Sequence, residues 1–501
     1  MMLTHINVSQ PSFFIYDYET FGINPALDRP AQFAGIRTNN TLKPIEKEKI
    51  FFCRLSNDYL PDPQSVLITG IAPQDTLRHG LIESEFARRI YQLFCIPKTC
   101  ILGYNNIHFD DEFSRNIFYR NFHDPYLWAY QQGNSRWDLL HVLRACYSLC
   151  PNGITWPLNI QNKPSFRLKD LTQANAIKHF SAHDAMSDVY ATLELTKLIK
   201  EVQPQLFQFL FDHRTKYQLQ KIIDLDTMNP LIFIMNKINY KYKNFITYIA
   251  PISRHPINPN ILIACDLNGN IDNLVNLNIN TIYQKLYSNH ITIYDILKKI
   301  PLRLIRLNAC PILIPINFFE KNNINTTYTM QLSTNYRYCL KNLNFIRMHE
   351  NSVYLRNKIN TLYTIIGSYI NQKNIYNNLH VDCQLYHRLF NNSDRKIIES
   401  IRRTHSKELK NLCTDHVDTR LKPLLFYYRA RNFPNTLNYQ EQKKWLNYKK
   451  NKLFNTDQSK SYNDKLNQLL SIYKYNDQKI TLLHSLQKYY QYLYEVHFNF
   501  Y

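Results

Sequence analysis

The chain runs to 501 residues, 45% of them hydrophobic, with 60 Lys and Arg against 39 Asp and Glu and a formal charge of +21. The length is more than one ordinary core holds, so two or three domains are expected, and the apolar content excludes a disordered chain. So large a positive charge points to polyanions, nucleic acid first and acidic membrane surfaces second, although a sequence drifting toward Lys, Asn, Ile and Tyr would carry it too.

The start, Met1-Met2-Leu3-Thr4-His5-Ile6, has no basic stretch followed by an apolar run, and apolar runs such as 311–319 are too short to cross a bilayer. No export signal or spanning segment is therefore expected, and the cytoplasm is the expected compartment. The ten cysteines form no C-x-x-C pair and no Cys/His zinc spacing, which suits buried thiols in a reducing environment. Next, Phe13-Phe14-Ile15-Tyr16 is a short apolar run fit for a buried strand, with 31–38 and 50–54 as its neighbours. Residues 83–95 place Phe86, Ile90, Leu93 and Phe94 at helical spacing, 100–104 is another short strand, and 138–149 and 184–202 carry helical stripes. Strands mixed with helices predict an α/β domain. Seven of the nine glycines precede residue 154, and from 203 to about 351 the chain turns rich in Ile, Asn, Lys and Tyr, with β-prone pieces at 231–235 and 261–266. From about 355 helical patterns dominate, including 394–403, 438–448 and 480–496. No repeat of fixed period is present.

Three segments carry candidate chemistry. In Tyr16-Asp17-Tyr18-Glu19-Thr20-Phe21-Gly22, directly after the first strand, Asp17 and Glu19 are two apart and project to one face. Two carboxylates at a strand end offer Mg²⁺ hard oxygen ligands with room for water and phosphate. Alone, such a pair is more often simply solvated. The second segment, Gly103 to Glu112, follows a strand and opens a helix, so Asp110 or Asp111 falls at a strand's carboxyl end, where α/β sheets commonly bind ligands. The bland alternative is an acid favouring a helix N-terminus. In the third, Ser181-Ala182-His183-Asp184-Ala185-Met186-Ser187-Asp188, Ser181 with Asp184 fits a capping box. That puts His183 in a loose first turn and Asp188 one turn further in. A lone histidine there is ordinarily a surface residue.

Together the three are harder to explain structurally, because four crowded carboxylates repel one another. At an effective dielectric of 20 one close pair costs on the order of 4 kcal/mol before a cation arrives. Asp-x-Glu, a distal Asp after a strand and His-x4-Asp opening a late helix resemble the DEDD group of 3′–5′ exonucleases, in the subgroup that uses histidine. The likeness extends further. Asn24-Pro25-Ala26-Leu27-Asp28-Arg29-Pro30, Leu67-Ile68-Thr69-Gly70-Ile71, Asn134-Ser135-Arg136-Trp137-Asp138, Pro164-Ser165-Phe166-Arg167-Leu168 and Leu424-Leu425-Phe426-Tyr427-Tyr428-Arg429-Ala430-Arg431-Asn432-Phe433-Pro434 resemble the bacterial exodeoxyribonuclease I family.

The resemblance implies a ribonuclease-H-like exonuclease domain over 10–202, an SH3-like β domain over 203–354 and a helical C-terminal domain over 355–501. It implies magnesium-dependent, processive hydrolysis of single-stranded DNA from the 3′ end, releasing 5′-mononucleotides, in DNA repair and recombination. Two Mg²⁺ ions, replaceable by Mn²⁺, would be held by Asp17, Glu19, Asp110 and Asp188, with His183 as the base. Arg167 would hold the substrate near the cleaved phosphate, with Glu19 also in contact with it, and Arg115, Tyr126, Trp128, Arg136 and Arg144 would line the strand's path. Arginines neutralise phosphates and aromatics stack bases without reading sequence, though core packing competes for each aromatic. Docking of the acidic tail of single-strand-binding protein is implied as well, in a monomer that does not engage membranes. The chain departs from the family pattern mainly over 203–351, where Asn229 stands in place of an expected basic residue.

Three rival readings compete, two of them from other classes. An oligoribonuclease-like or tRNA-trimming enzyme of the same group is usually one small domain, which the extra length opposes. A catalytically silent DNA-binding or clamp-docking scaffold would be expected to have lost a site carboxylate, and a basic membrane-surface protein would need an amphipathic basic helix that does not stand out.

Overall fold

A computed structural model describes residues 10–179, 184–239, 244–287, 300–321, 329–372, 379–414 and 417–498. In it β1 (Ser12–Thr20) sends Phe14, Tyr16 and Tyr18 to one face, into a core with Phe33, Phe86, Phe94 and Phe113. β2 (Pro30–Asn39) pairs antiparallel with β1 and with β3 (Lys49–Phe52), while β4 (Thr99–Gly103) pairs parallel on the other side of β1. The order β3-β2-β1-β4 thus puts the acid-bearing strand inside the sheet. Between β3 and β4 come α1 (Pro63–Thr69), α2 (Pro73–His79) and α3 (Glu83–Phe94). α3 buries Phe86, Ile90 and Phe94, the stripe that the helical spacing predicts. α4 (Asp110–Arg120) follows β4, and β5 (Ser135–Asp138) begins where the chain leaves this body. β1 is longer than its apolar run suggests: pairing with β2 continues to Glu19↔Gln32, so both acids lie within the strand.

The chain divides into two units, Met1–Ser135 with Lys178–Leu193 and Asn378–Tyr501, and Arg136–Ile177 with Glu194–Asn377. In the second unit α5 (Leu139–Leu149) and α6 (Leu168–Ala174) accompany an antiparallel sheet of order β10-β6-β7-β8-β9. Its strands are β6 (Leu231–Asn239), β7 (Asn244–Arg254), β8 (Ile261–Asp266), β9 (Leu302–Arg306) and β10 (Leu313–Pro315), closed over Leu231, Ile249, Leu262, Ile305 and Leu313. α7 (Ala185–Val202) begins in the first unit and ends in the second. Two long helices, Thr329–Arg347 and His349–Gln372, occupy a stretch where Asn, Lys and Tyr obscure the helical pattern. Their stripe is nonetheless present, since Leu355, Ile359, Leu362 and Ile366 recur at three- and four-residue steps and are buried. The boundary expected at 354 therefore falls inside a continuous helix. Among the described residues no helix is long and apolar enough to cross a membrane.

The C-terminal helices belong to the first unit. Leu466, Leu469, Leu483, Leu486 and Leu493 pack with Phe21, Leu55 and Val66, which couples the last two helices to the segment around α1. Beside that apolar contact lies a buried ionic network. Arg431 reaches Asp58 at 3.1 Å and Asp382 at 2.7 Å, Arg29 reaches Asp382 at 3.5 Å, and Arg120 reaches Glu83 at 3.2 Å. Lys452 adds a second cation to Asp58 at 3.2 Å. Removing one partner of a buried pair strands the other without water. Asp58→Ala is therefore expected to destabilise the protein by about 3–5 kcal/mol in urea unfolding; an unchanged midpoint would show that the network contributes nothing net.

Candidate active site

Alternation along β1 decides the geometry. Asp17 and Glu19 leave the sheet on the face opposite Tyr16 and Tyr18. Pairing with β4 ends at Ile15↔Leu102, so the Tyr18 N–H lies past the end of that ladder. Asp110, the first residue of α4, meets it there: Oδ1 accepts from Tyr18 N at 3.2 Å. Asp111 points into the core instead, accepting from the Tyr16 hydroxyl at 2.5 Å and from Asn106 Nδ2 at 3.2 Å. Of the two adjacent acids, only Asp110 lines the cleft.

β2 brings in the third element. Gln32, opposite Glu19 in register, donates from Nε2 to Asp184 Oδ1 at 3.4 Å and accepts from Ala185 N at 3.3 Å. Asp184 caps α7 directly, taking the Ser187 N–H at 3.2 Å. Ser181 and His183 lie outside the described residues. With the start of α7 fixed against β2, Asp188 in its first turn joins the acids of β1. One carboxylate oxygen each from Asp17, Glu19 and Asp188 lie within 4.8 Å of one another. Together with Asp110 they line a cleft of about 240 Å³ rimmed by Ile23, Ile68, Thr69 and Tyr104. His179, which nothing in the sequence singled out, stands with Nε2 2.6 Å from Asp188 Oδ1.

The remaining predicted residues separate. Arg115 pairs with Glu112 at 2.5 Å and stands over the Tyr126 ring at 5.7 Å, with the Tyr386 hydroxyl at 3.4 Å. Trp128, expected on the strand's path, is 1% exposed and packs on Phe94, its Nε1 donating to Pro125 O at 2.9 Å; its faces are occupied by the core. Arg136, Arg144 and Arg167 belong to the second unit. There Arg136 is buried and donates to Asn308 O at 2.5 Å, Arg144 lies over the Phe245 ring, and Arg167 is exposed at the start of α6. Asn229 is met by a cation after all, since Arg347 Nη2 donates to its Oδ1 at 3.1 Å.

Family models match three successive stretches: an exonuclease domain over residues 14–196, an exonuclease I SH3-like domain over 214–365 and an exonuclease I C-terminal domain over 379–493. Exodeoxyribonuclease I of Escherichia coli strain K12 is 43% identical over 480 residues, covering 96% of this chain and 98% of that protein. The chain belongs to the exodeoxyribonuclease I family. Among solved structures, the zinc ion bound form of the E. coli ExoI–ssDNA complex superposes with a TM-score of 0.85, and an ExoI/SSB-Ct complex with 0.86. Each is 42% identical and covers 97% of this chain and 100% of that chain. Exodeoxyribonuclease I is an exonuclease, and its exonuclease domain implies dependence on a divalent metal ion. The donors that converge here fit such an ion, being carboxylate oxygens, hard ligands suited to a hard cation.

Charge repulsion is visible in the acids themselves. Burial, followed by the charges of Asp110, Glu19, Asp188 and Asp184, holds the Asp17 carboxyl well above the usual range. Glu19, 6% exposed, is pushed up to about 8 by burial first and then by Asp188, Asp110 and Asp184. An acid with a higher pKa folded than unfolded binds more protons when folded. Its contribution to stability is therefore intact below the ordinary value of 4.5 and is lost as pH rises toward 8. Metal-free protein is expected to lose on the order of 5 kcal/mol of stability across that window, and Glu19→Gln is expected to flatten the slope in thermal melts with EDTA. Equal slopes for the two proteins would show that Glu19 does not carry it.

Proposed function

We propose that this exodeoxyribonuclease I family member hydrolyses single-stranded DNA from its 3′ end, processively releasing 5′-mononucleotides, in the cytoplasm and in the service of DNA repair and recombination. The observation that carries the proposal is the convergence of Asp17, Glu19 and Asp188 within 4.8 Å, from a strand and a helix far apart in sequence. Asp17, Glu19, Asp110 and Asp188 would hold two Mg²⁺ ions, with Mn²⁺ able to substitute. When bound, such a pair supplies Lewis acidity toward the scissile phosphate and the departing 3′ oxygen.

The chain's own groups do the rest. His183 takes the proton of the attacking water at a ring nitrogen. Arg167 would hold the substrate near the cleaved phosphate, and Arg115 and Tyr126, clustered with Tyr386, would line the strand's path. Arg144 would neutralise phosphate on the same path. Trp128 and Arg136 support this path from within rather than touching DNA, in keeping with their burial. The three-domain division belongs to the proposal as well, with the last boundary moved to between 372 and 379, past the end of the long helix. Docking of the acidic tail of single-strand-binding protein is supported by the charge of +21 and by the related ExoI/SSB-Ct complex.

The test is direct. End-labelled single-stranded DNA and RNA are incubated with Mg²⁺ and either the native protein or Asp188→Ala. Stepwise loss of the 3′ label from DNA is expected, stopped by EDTA and slowed more than about a hundredfold by the substitution, since even outer-shell changes cost about 10–100-fold. Digestion confined to RNA, or proceeding from the 5′ end, would overturn the proposal. Binding of the DNA is also expected to weaken steeply as salt rises, because each phosphate neutralised releases counterions. A flat salt response would remove the role assigned to the positive charge.

A further inference from the structure

The hydrogen bond between His179 and Asp188 has no place in the roles assigned above. Nε2 of His179 is 2.6 Å from Asp188 Oδ1, and both side chains are shielded, at 5% and 16% exposure. We infer that His179 is the positioning residue for Asp188, holding one carboxylate oxygen so that the acid stays turned toward Asp17 and Glu19 as a metal donor. The inference rests on the metal site proposed above.

Three observations favour it over a merely structural bond. The start of α7 is already secured without His179, because Asp184 caps Ser187 N at 3.2 Å and Gln32 holds both Asp184 and Ala185 N. The bond is therefore not needed to begin the helix. Next, an aspartate turns readily about its last torsion, a broad two-fold rotor, and repulsion from Asp17 and Glu19 would swing Asp188 out of the cluster. A donor fixed in a buried ring opposes that turn. Finally, with Asp188 ionised, the imidazole donates Nε2–H to it, a charge-assisted bond that strengthens where water is excluded. Hydrogen bonds of this outer kind fix the orientation of metal ligands generally.

The test compares two variants of similar shape that differ in the donor. Gln places an N–H at about the reach of Nε2, whereas Met has none. Mn²⁺ is titrated calorimetrically into the full metal-free chain, with folding checked by circular dichroism. H179M is expected to bind Mn²⁺ about 10–100-fold more weakly than the native protein, and H179Q within about threefold of it. Should H179M not fold, H179A is read in its place. Native protein that binds no Mn²⁺ would sink the metal site itself and the inference with it. Native-like binding by H179M, or equal weakening in H179M and H179Q, would overturn the role of His179 alone and leave the metal site standing.

Discussion

Mutual repulsion among carboxylates gathered at one end of a sheet is the constraint around which the site is organised. Asp17, Glu19 and Asp188 bring oxygens within 4.8 Å of one another, close enough that neighbouring carboxylates add to burial in raising the pKa of Asp17 and of Glu19. Left alone they would turn apart or take up protons. The fold places partners around them: the Tyr18 backbone N–H on Asp110, Gln32 and the Ser187 N–H on Asp184, and His179 on Asp188 itself. The residual tension is what a divalent cation relieves, so metal affinity and metal-free instability have one origin.

Holding that arrangement involves more of the chain than the strands that carry it. Ser65, Ile68 and Thr69 of α1 line the cleft, and α1 is backed by the leucines of the last two helices. Arg431, Asp382, Arg29 and Asp58 fasten the same C-terminal stretch to the loops after β1 and β3. The helical C-terminal segment is thus a support for one wall of the cleft, nearly four hundred positions away in sequence from part of what it supports. The interaction is costly to bury and costly to break, which makes its geometry selective.

A strongly basic chain with an acidic centre also separates two tasks. The overall charge of +21 attracts a polyanion, while the cleft concentrates negative charge. A phosphate therefore approaches the protein readily but is admitted to the acids only when cations screen them. Binding and hydrolysis are in this way set by different residues, and the salt dependence of one need not follow the metal dependence of the other.

Strand and helix periodicity makes the principal acids legible along the chain itself. Two residues apart on a strand means one face, which places Asp17 with Glu19, and the helical stripe after residue 184 places Asp188 near a helix start. The α/β character of the first 200 residues and the helical end of the chain are legible in the same way. The family resemblance already favours Asp110 over Asp111, but only the tertiary structure gives the reason, and it alone buries Trp128 and Arg136, extends β1 through both of its acids, sets Asp184 as a cap on the Ser187 N–H and brings His179 to Asp188. Local periodicity follows from covalent backbone geometry and can be read residue by residue. Which of two like neighbours turns inward is decided by partners such as Tyr16 and Tyr18, more than ninety residues distant from the acids they meet, and no pattern within a short window encodes that meeting.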